Sequence, residues 1–159
     1  MVQGVERRVS HQMNTGTISR RTLRRILERG AEHVKVALYK GGVELHHITF
    51  DGSSSNLTSW FSPDRILDTS WDDPQNATYF ALEAHRFLIY GPYNGCPTDY
   101  GWMLVVDSPQ DNCPSILSNM PTWPRFIYST ATTRVTWSVG GSGVGHAEVF
   151  AVFVKLATR

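Results

Sequence analysis

From Val34 to Phe50 the chain runs as two stretches with period-two patterning around a glycine pair. Val34, Val36 and Leu38 alternate with Lys35, Ala37 and Tyr39; Lys40-Gly41-Gly42 comes next; then Val43, Leu45, His47 and Thr49 alternate with Glu44, His46, Ile48 and Phe50. Successive strand side chains face opposite ways, and glycine takes positive φ without a steric penalty. This pattern therefore specifies two antiparallel strands joined by a tight turn. An isolated hairpin is at best marginally stable in water, so its apolar row needs further strands or a second layer.

Candidate strands lie at Thr78–Glu83, Arg86–Tyr90, Trp102–Asp107, Phe126–Ser129, Arg134–Val139 and Ala147–Leu156, separated by Gly-, Pro- and Asn-rich turns. Ser62-Pro63 suits the opening of a short helical turn between the hairpin and these strands. Trp102–Val106 reads as core. The last segment is apolar on both faces, which predicts a central position in a sheet. The chain is therefore expected to be all-β and mainly antiparallel, a β-sandwich or flattened barrel, with strand order left open.

Residues 1–32 differ in kind and read as a basic arm attached to a β domain over 33–159. Within Ser19–Gly30, Ser19 can cap a short helix, Leu23, Ile26 and Leu27 share one face, and Gly30 fits the C′ position. Residues 1–33 hold seven Arg against three Glu, while the remainder carries eight Lys/Arg against eleven Asp/Glu. Such an arm would suit nucleic acid or an anionic surface, but a solvated face on a packing helix is the simpler reading, so nucleic acid is not the expected partner. No apolar run reaches the roughly 18 residues of a membrane span. The opening MVQGVERRVS has no hydrophobic region of the secretory type.

The loops carry the functional signal. Trp60, Trp71, Tyr93 and Tyr100 stand in or beside turns that also hold Asn94 and Asp99. Aromatic rings cover the apolar faces of sugars while neighbouring amides and carboxylates take the hydroxyls. These six residues are therefore the candidate ligand-binding set, with core packing of the aromatics as the plain alternative. Asp72 and Asp73 could hold calcium, which takes oxygen ligands from loops, although Asp is also an ordinary turn former. Neighbours His46 and His47 must face opposite ways on a strand, and His85 and His146 stand alone, so a zinc site is not expected. Gly140–His146 is glycine-rich but leads into a strand, unlike a phosphate loop. No nucleophile elbow or Cys/His signature is present, and the carboxylates Glu83, Asp99 and Asp107 form no motif, so no catalytic residue is assigned and the expected protein is not an enzyme. Asn56-Leu57-Thr58 and Asn76-Ala77-Thr78 are glycosylation sequons in turn-rich segments. Cys96 and Cys113 enclose sixteen residues; a bridge between them would add about 3 kcal/mol in an oxidising compartment, and two separate thiols are equally compatible with the spacing.

Several phrases occur in a recognisable order: VKVALYKGGVELHHITFDG, NLTSWFSPDRILDTSWDD, YNGCPTDYGWMLVVD, CPSIL, PRFIYS and VGHAEVFAVFV. Together, over about residues 34–156, they resemble a secreted β-domain family of marine invertebrates, itself poorly characterised. Its pattern runs F-[DN]-G, WFS-x-x-R, a tryptophan–aspartate loop, GGC-x-x-D-x-GW-x-V-V-x-D, a second cysteine and a closing G-x-A-[DE]-V strand. The resemblance implies an extracellular, oxidising setting and a Cys96–Cys113 bridge, and it implies no catalytic residues. This chain departs from the family in its arginine-rich arm, and Tyr93 stands where the family commonly has N-Y-G-G. The expected function is extracellular recognition of a glycan or another matrix component. The alternative is a structural or assembly module of a larger secreted protein or homo-oligomer.

Overall fold

The hairpin forms as the alternation demands. Strand β1 (Ala31–Lys40) and strand β2 (Val43–Asp51) pair antiparallel. Gly41 and Gly42 between them take φ of 57° and 77°, open only to residues that tolerate the left-handed region. The computed structural model describes residues 25, 30–83, 86–91, 98–106, 123–137 and 142–157. Of the expected N-terminal helix only Arg25 and Gly30 fall within this set.

Two antiparallel sheets face each other. The first runs β10 (Val149–Leu156), β1, β2, β3 (Ile66–Thr69). The second runs β4 (Tyr79–Glu83), β5 (Arg86–Tyr90), β6 (Tyr100–Val106), β7 (Arg125–Ser129), β9 (Val144–Ala147), with the short β8 (Val135–Thr136) also on β6. No ladder joins the two sheets among the described residues, so the arrangement is sandwich-like and not a closed barrel. Chain direction explains how they stay together. At Glu148 the chain leaves β9 in one sheet and enters β10 in the other. There the Glu148 amide donates to Tyr39 O (2.8 Å), and its carboxylate accepts the Gly41 N–H (2.9 Å).

Inward rows from both sheets build the core. Val34, Val36 and Leu38 on β1, Ile48 and Phe50 on β2, and Phe150 and Val152 on β10 meet Ile89, Met103, Val105, Phe126 and Tyr128 across the gap. Two rings from the β2–β3 loop fill one end. Trp60 lies 5.5 Å from Phe50 at 81° and 6.0 Å from Phe87; Phe61 lies 4.7 Å from Phe80 and 5.2 Å from Phe87. A second apolar layer, including Leu88, Leu104, Val106, Ile127 and Trp137, covers the outer face of the β4–β9 sheet. That double burial is why β6 reads as an uninterrupted apolar run: every residue from Gly101 to Val106 is buried.

Three expectations need correction. The final strand is interrupted at Glu148, and β10 ends its sheet instead of lying centrally. Its outer apolar face packs on its own neighbours, with Phe153 edge-on to Tyr39 at 6.4 Å. Strand β9 occupies part of the glycine-rich stretch, since a Cβ on Gly145 would come within 2.4 Å of the Tyr128 ring. The expected short helical turn forms at Pro63–Arg65, but it leads directly into strand β3, which was not expected.

The Trp60 indole is fully buried and donates to Leu57 O at 3.1 Å. Trp60→Ala should therefore cost about 3–5 kcal/mol in chemical denaturation. Leu67→Ala, at a residue 56% exposed, should change stability by less than about 0.5 kcal/mol.

Candidate functional site

Of the six residues chosen as a ligand surface, the structure describes Trp60, Trp71, Asp99 and Tyr100. Trp60 is in the core and Trp71 is 2% exposed. Trp71 acts as a bolt between the sheets: its ring stacks on His46 of β2 at 4.8 Å and 1°, and its N–H donates to Ser129 O of β7 at 3.1 Å. Neither ring offers a face to a ligand. Asp99 is 1% exposed, in the turn leading into β6, where its carbonyl accepts the Trp137 N–H. Tyr100 is half-buried; Gly91 packs so closely on its ring that a Cβ there would lie 2.1 Å away, and the Arg134 guanidinium sits over the ring at 4.7 Å. Tyr93, Asn94, Cys96, Cys113, His85 and Asp107 lie outside the described residues, as does the side chain of Glu83.

The loop proposed for calcium makes contacts with a neighbouring loop. Asp72 donates its amide to Thr132 O (2.9 Å) and accepts the Thr132 hydroxyl at 2.7 Å, which ties the β3–β4 connection to the loop after β7. Asp73 precedes the 3-10 turn Pro74–Asn76. Among the described residues no three carboxylate, imidazole or thiol side chains converge at metal-binding distance. Both sequon asparagines are exposed, as are Thr58 and Thr78. Asn56 Oδ1 accepts the amides of Thr58 and Ser59 in a tight side-chain turn.

A cluster that the sequence did not reveal occupies the outer face of the first sheet. Glu44 accepts two hydrogen bonds from Lys35 Nζ (2.8 and 3.0 Å) and one from the Tyr39 hydroxyl (2.8 Å). His47 Nδ1 lies 3.1 Å from Glu44 Oε1, and its Nε2 lies 2.7 Å from Asp68 Oδ2. A β-bulge makes this possible. Leu38 pairs with His46 but Tyr39 pairs with Glu44, so Leu45 is supernumerary and Glu44 turns to the face of His47. Regular alternation would have sent it inward. Burial alone would raise the Glu44 carboxyl, but its bonds from Lys35 and Tyr39 outweigh that and hold it below the usual range. The hydrogen bond from His47 does the same for Asp68.

Ser70 Oγ also lies 3.1 Å from His47 Nδ1, so Ser70, His47 and Asp68 superficially resemble a nucleophile, base and acid. The ring is shared more widely than in such a row. Each ring nitrogen of His47 faces a carboxylate, Glu44 Oε1 at Nδ1 and Asp68 Oδ2 at Nε2, so Ser70 shares Nδ1 with Glu44. The serine oxygen is itself occupied, accepting the His47 amide at 3.0 Å. The cluster knits β1, β2 and β3 together as a half-exposed polar network, a type of contact worth about 1 kcal/mol or less per pair.

Comparison with protein-family models, with curated proteins and with solved structures returns no match. No helix of the described residues is long and apolar enough to cross a membrane.

Among the described residues, two half-buried imidazoles have lowered pKa values. His46, between Trp71 and Tyr128, is held below the ordinary value of 6.5 by burial and then by His47. His146 is lowered likewise by burial, with Lys40 and Arg125 adding to it. An unfolded chain takes up these protons first, so stability is complete above about pH 6.5 and falls as pH drops through that value. Thermal melts between about pH 7.5 and 5 should show a falling Tm, and the His46→Gln/His146→Gln double variant should flatten that slope. A second fall, below about pH 4.5, belongs to Glu32, Glu44, Asp51 and Asp68, whose lowered carboxyls contribute stability only while ionised.

Proposed function

We propose that this domain is a non-catalytic extracellular module whose role is assembly, a building block that joins copies or neighbours into a larger structure. The carrying observation is where the chemically expressive side chains are used. Trp60 and Trp71 are in the core, His47 and Glu44 satisfy each other, and Asp72 ties one loop to another. The resemblance to secreted β domains supports an extracellular setting, the Cys96–Cys113 bridge and glycans on Asn56 and Asn76, both of which are exposed.

Glycan recognition is the competing reading, and of its candidate residues Tyr93, Asn94 and Tyr100 remain to carry it. A glycan array probed with the folded, oxidised protein, with calcium and again with chelator, separates the two. The expected result is a blank array in both conditions. Saturable binding to one class of sugars, lost in Tyr93→Ala, would overturn the assembly reading, and its loss in chelator would return calcium to the Asp72–Asp73 loop.

A further inference from the structure

Each sheet of an open sandwich has two edges, and unpaired edges invite another chain. Among the described residues the two sheets have four edge strands, and three of them are blunted. Strand β3 is four residues long, carries Asp68, and is preceded by a turn that begins with Pro63. Strand β4 has five residues and comes after a turn that begins with Pro74. Strand β9 has four residues, includes Gly145, and stops at the Glu148 corner. The fourth edge is different. Strand β10 runs eight residues, VFAVFVKL, with no proline, glycine or bulge over Val149–Lys155. Its one charged residue, Lys155, is already paired with Glu32 at 2.8 Å. Leu156 beside it is 38% exposed. Among the described residues, no backbone group pairs with the side of β10 facing away from β1.

We propose that this edge is a self-association site, at which β10 of a second copy adds antiparallel about a two-fold axis to make one continuous eight-stranded sheet. The proposal rests on the assembly reading above and gives it a surface. A second copy is the fitting occupant for two reasons. With Lys155 engaged by Glu32, the edge presents no charge pattern to select a foreign strand. It is also complementary to itself. Directly opposed residues must lie on the same face, so the axis passes through a residue; centred on Val152, it sets Phe153 opposite Ala151 of the second copy, large against small. A two-fold pairing consumes both β10 edges, and the blunted β3 edges stop further growth, so the product is a dimer and not a fibre.

Sedimentation velocity of the full chain at about 50 μM is expected to give a dimer. Phe153→Lys, on the half-exposed outer face of β10, should weaken it by about tenfold or more, since an edge lysine opposes strand addition. Leu67→Lys on β3 should leave it intact. Far-UV circular dichroism and a cooperative melt confirm folding, and Val149→Lys replaces Phe153→Lys if the latter does not fold. A wild-type chain that stays monomeric, or a dimer that survives both β10 substitutions, overturns the proposal. A dimer broken only by Leu67→Lys would keep the assembly reading and move its surface to β3. A monomer would leave that reading only heterologous partners, and sugar binding on the array would remove it.

Discussion

The fold depends on an aromatic seam. The two sheets share no ladder among the described residues, so what holds them face to face is contact between rings carried by different layers. Phe126 stacks on Phe150, Phe150 meets Phe87 at a tilt, and Phe87 meets Trp60 and Phe61, which reach Phe50 and Phe80. Each such pair adds roughly 0.5–1.5 kcal/mol beyond its area burial. Trp60 and Phe61 come from the β2–β3 loop, and Trp71 from the segment between β3 and β4. These connections are pinned to the core by their largest residues. A loop held in that way cannot also present the same rings to a ligand.

A second constraint is topological. The first strand of the domain lies between the second and the last, so the four-stranded sheet is complete only when β10 arrives. Eight residue pairs join β1 to β10, over a sequence separation of more than a hundred residues. The Glu148 corner then clasps the turn of the β1–β2 hairpin through Gly41. Such non-local pairing delays the return on loop-closure entropy and favours slow, cooperative folding. It also leaves the last strand, with its long apolar register, as the outermost member of its sheet.

What could be read from the residues divides by physical cause. The hairpin and the buried run of β6 were legible because alternation and uninterrupted apolarity report burial directly. The edge position of β10 was not, because two apolar faces report that both are covered, not which strand lies alongside. Bulges were equally silent. Leu45, Leu67 and Trp102 each stand as an extra residue against the neighbouring strand, and each switches the face taken by the residues beyond it. The Trp102 bulge lets that ring enter the core beside Met103. The loop aromatics were visible as residues but not as roles: tryptophan among Asp and Asn looks the same whether it plugs a sandwich or meets a sugar, and only the layer above it decides.

His46 and His47 show how far a single step of strand geometry can separate chemistry. One ring lies flat on Trp71 with Nδ1 buried and, among the described residues, unpartnered, an arrangement that tolerates a neutral imidazole and opposes its proton. The other lies between two carboxylates on the open face. The difference is imposed by the pleat and then sharpened by the bulge at Leu45. Without that extra residue, Glu44 would lie on the inner face, Lys35 and Tyr39 would lose their acceptor, and Ser70 would stand alone at His47 Nδ1. That altered arrangement is closer to a catalytic row than the one the chain adopts. The bulge thus places His47 in a polar network that holds three strands in register.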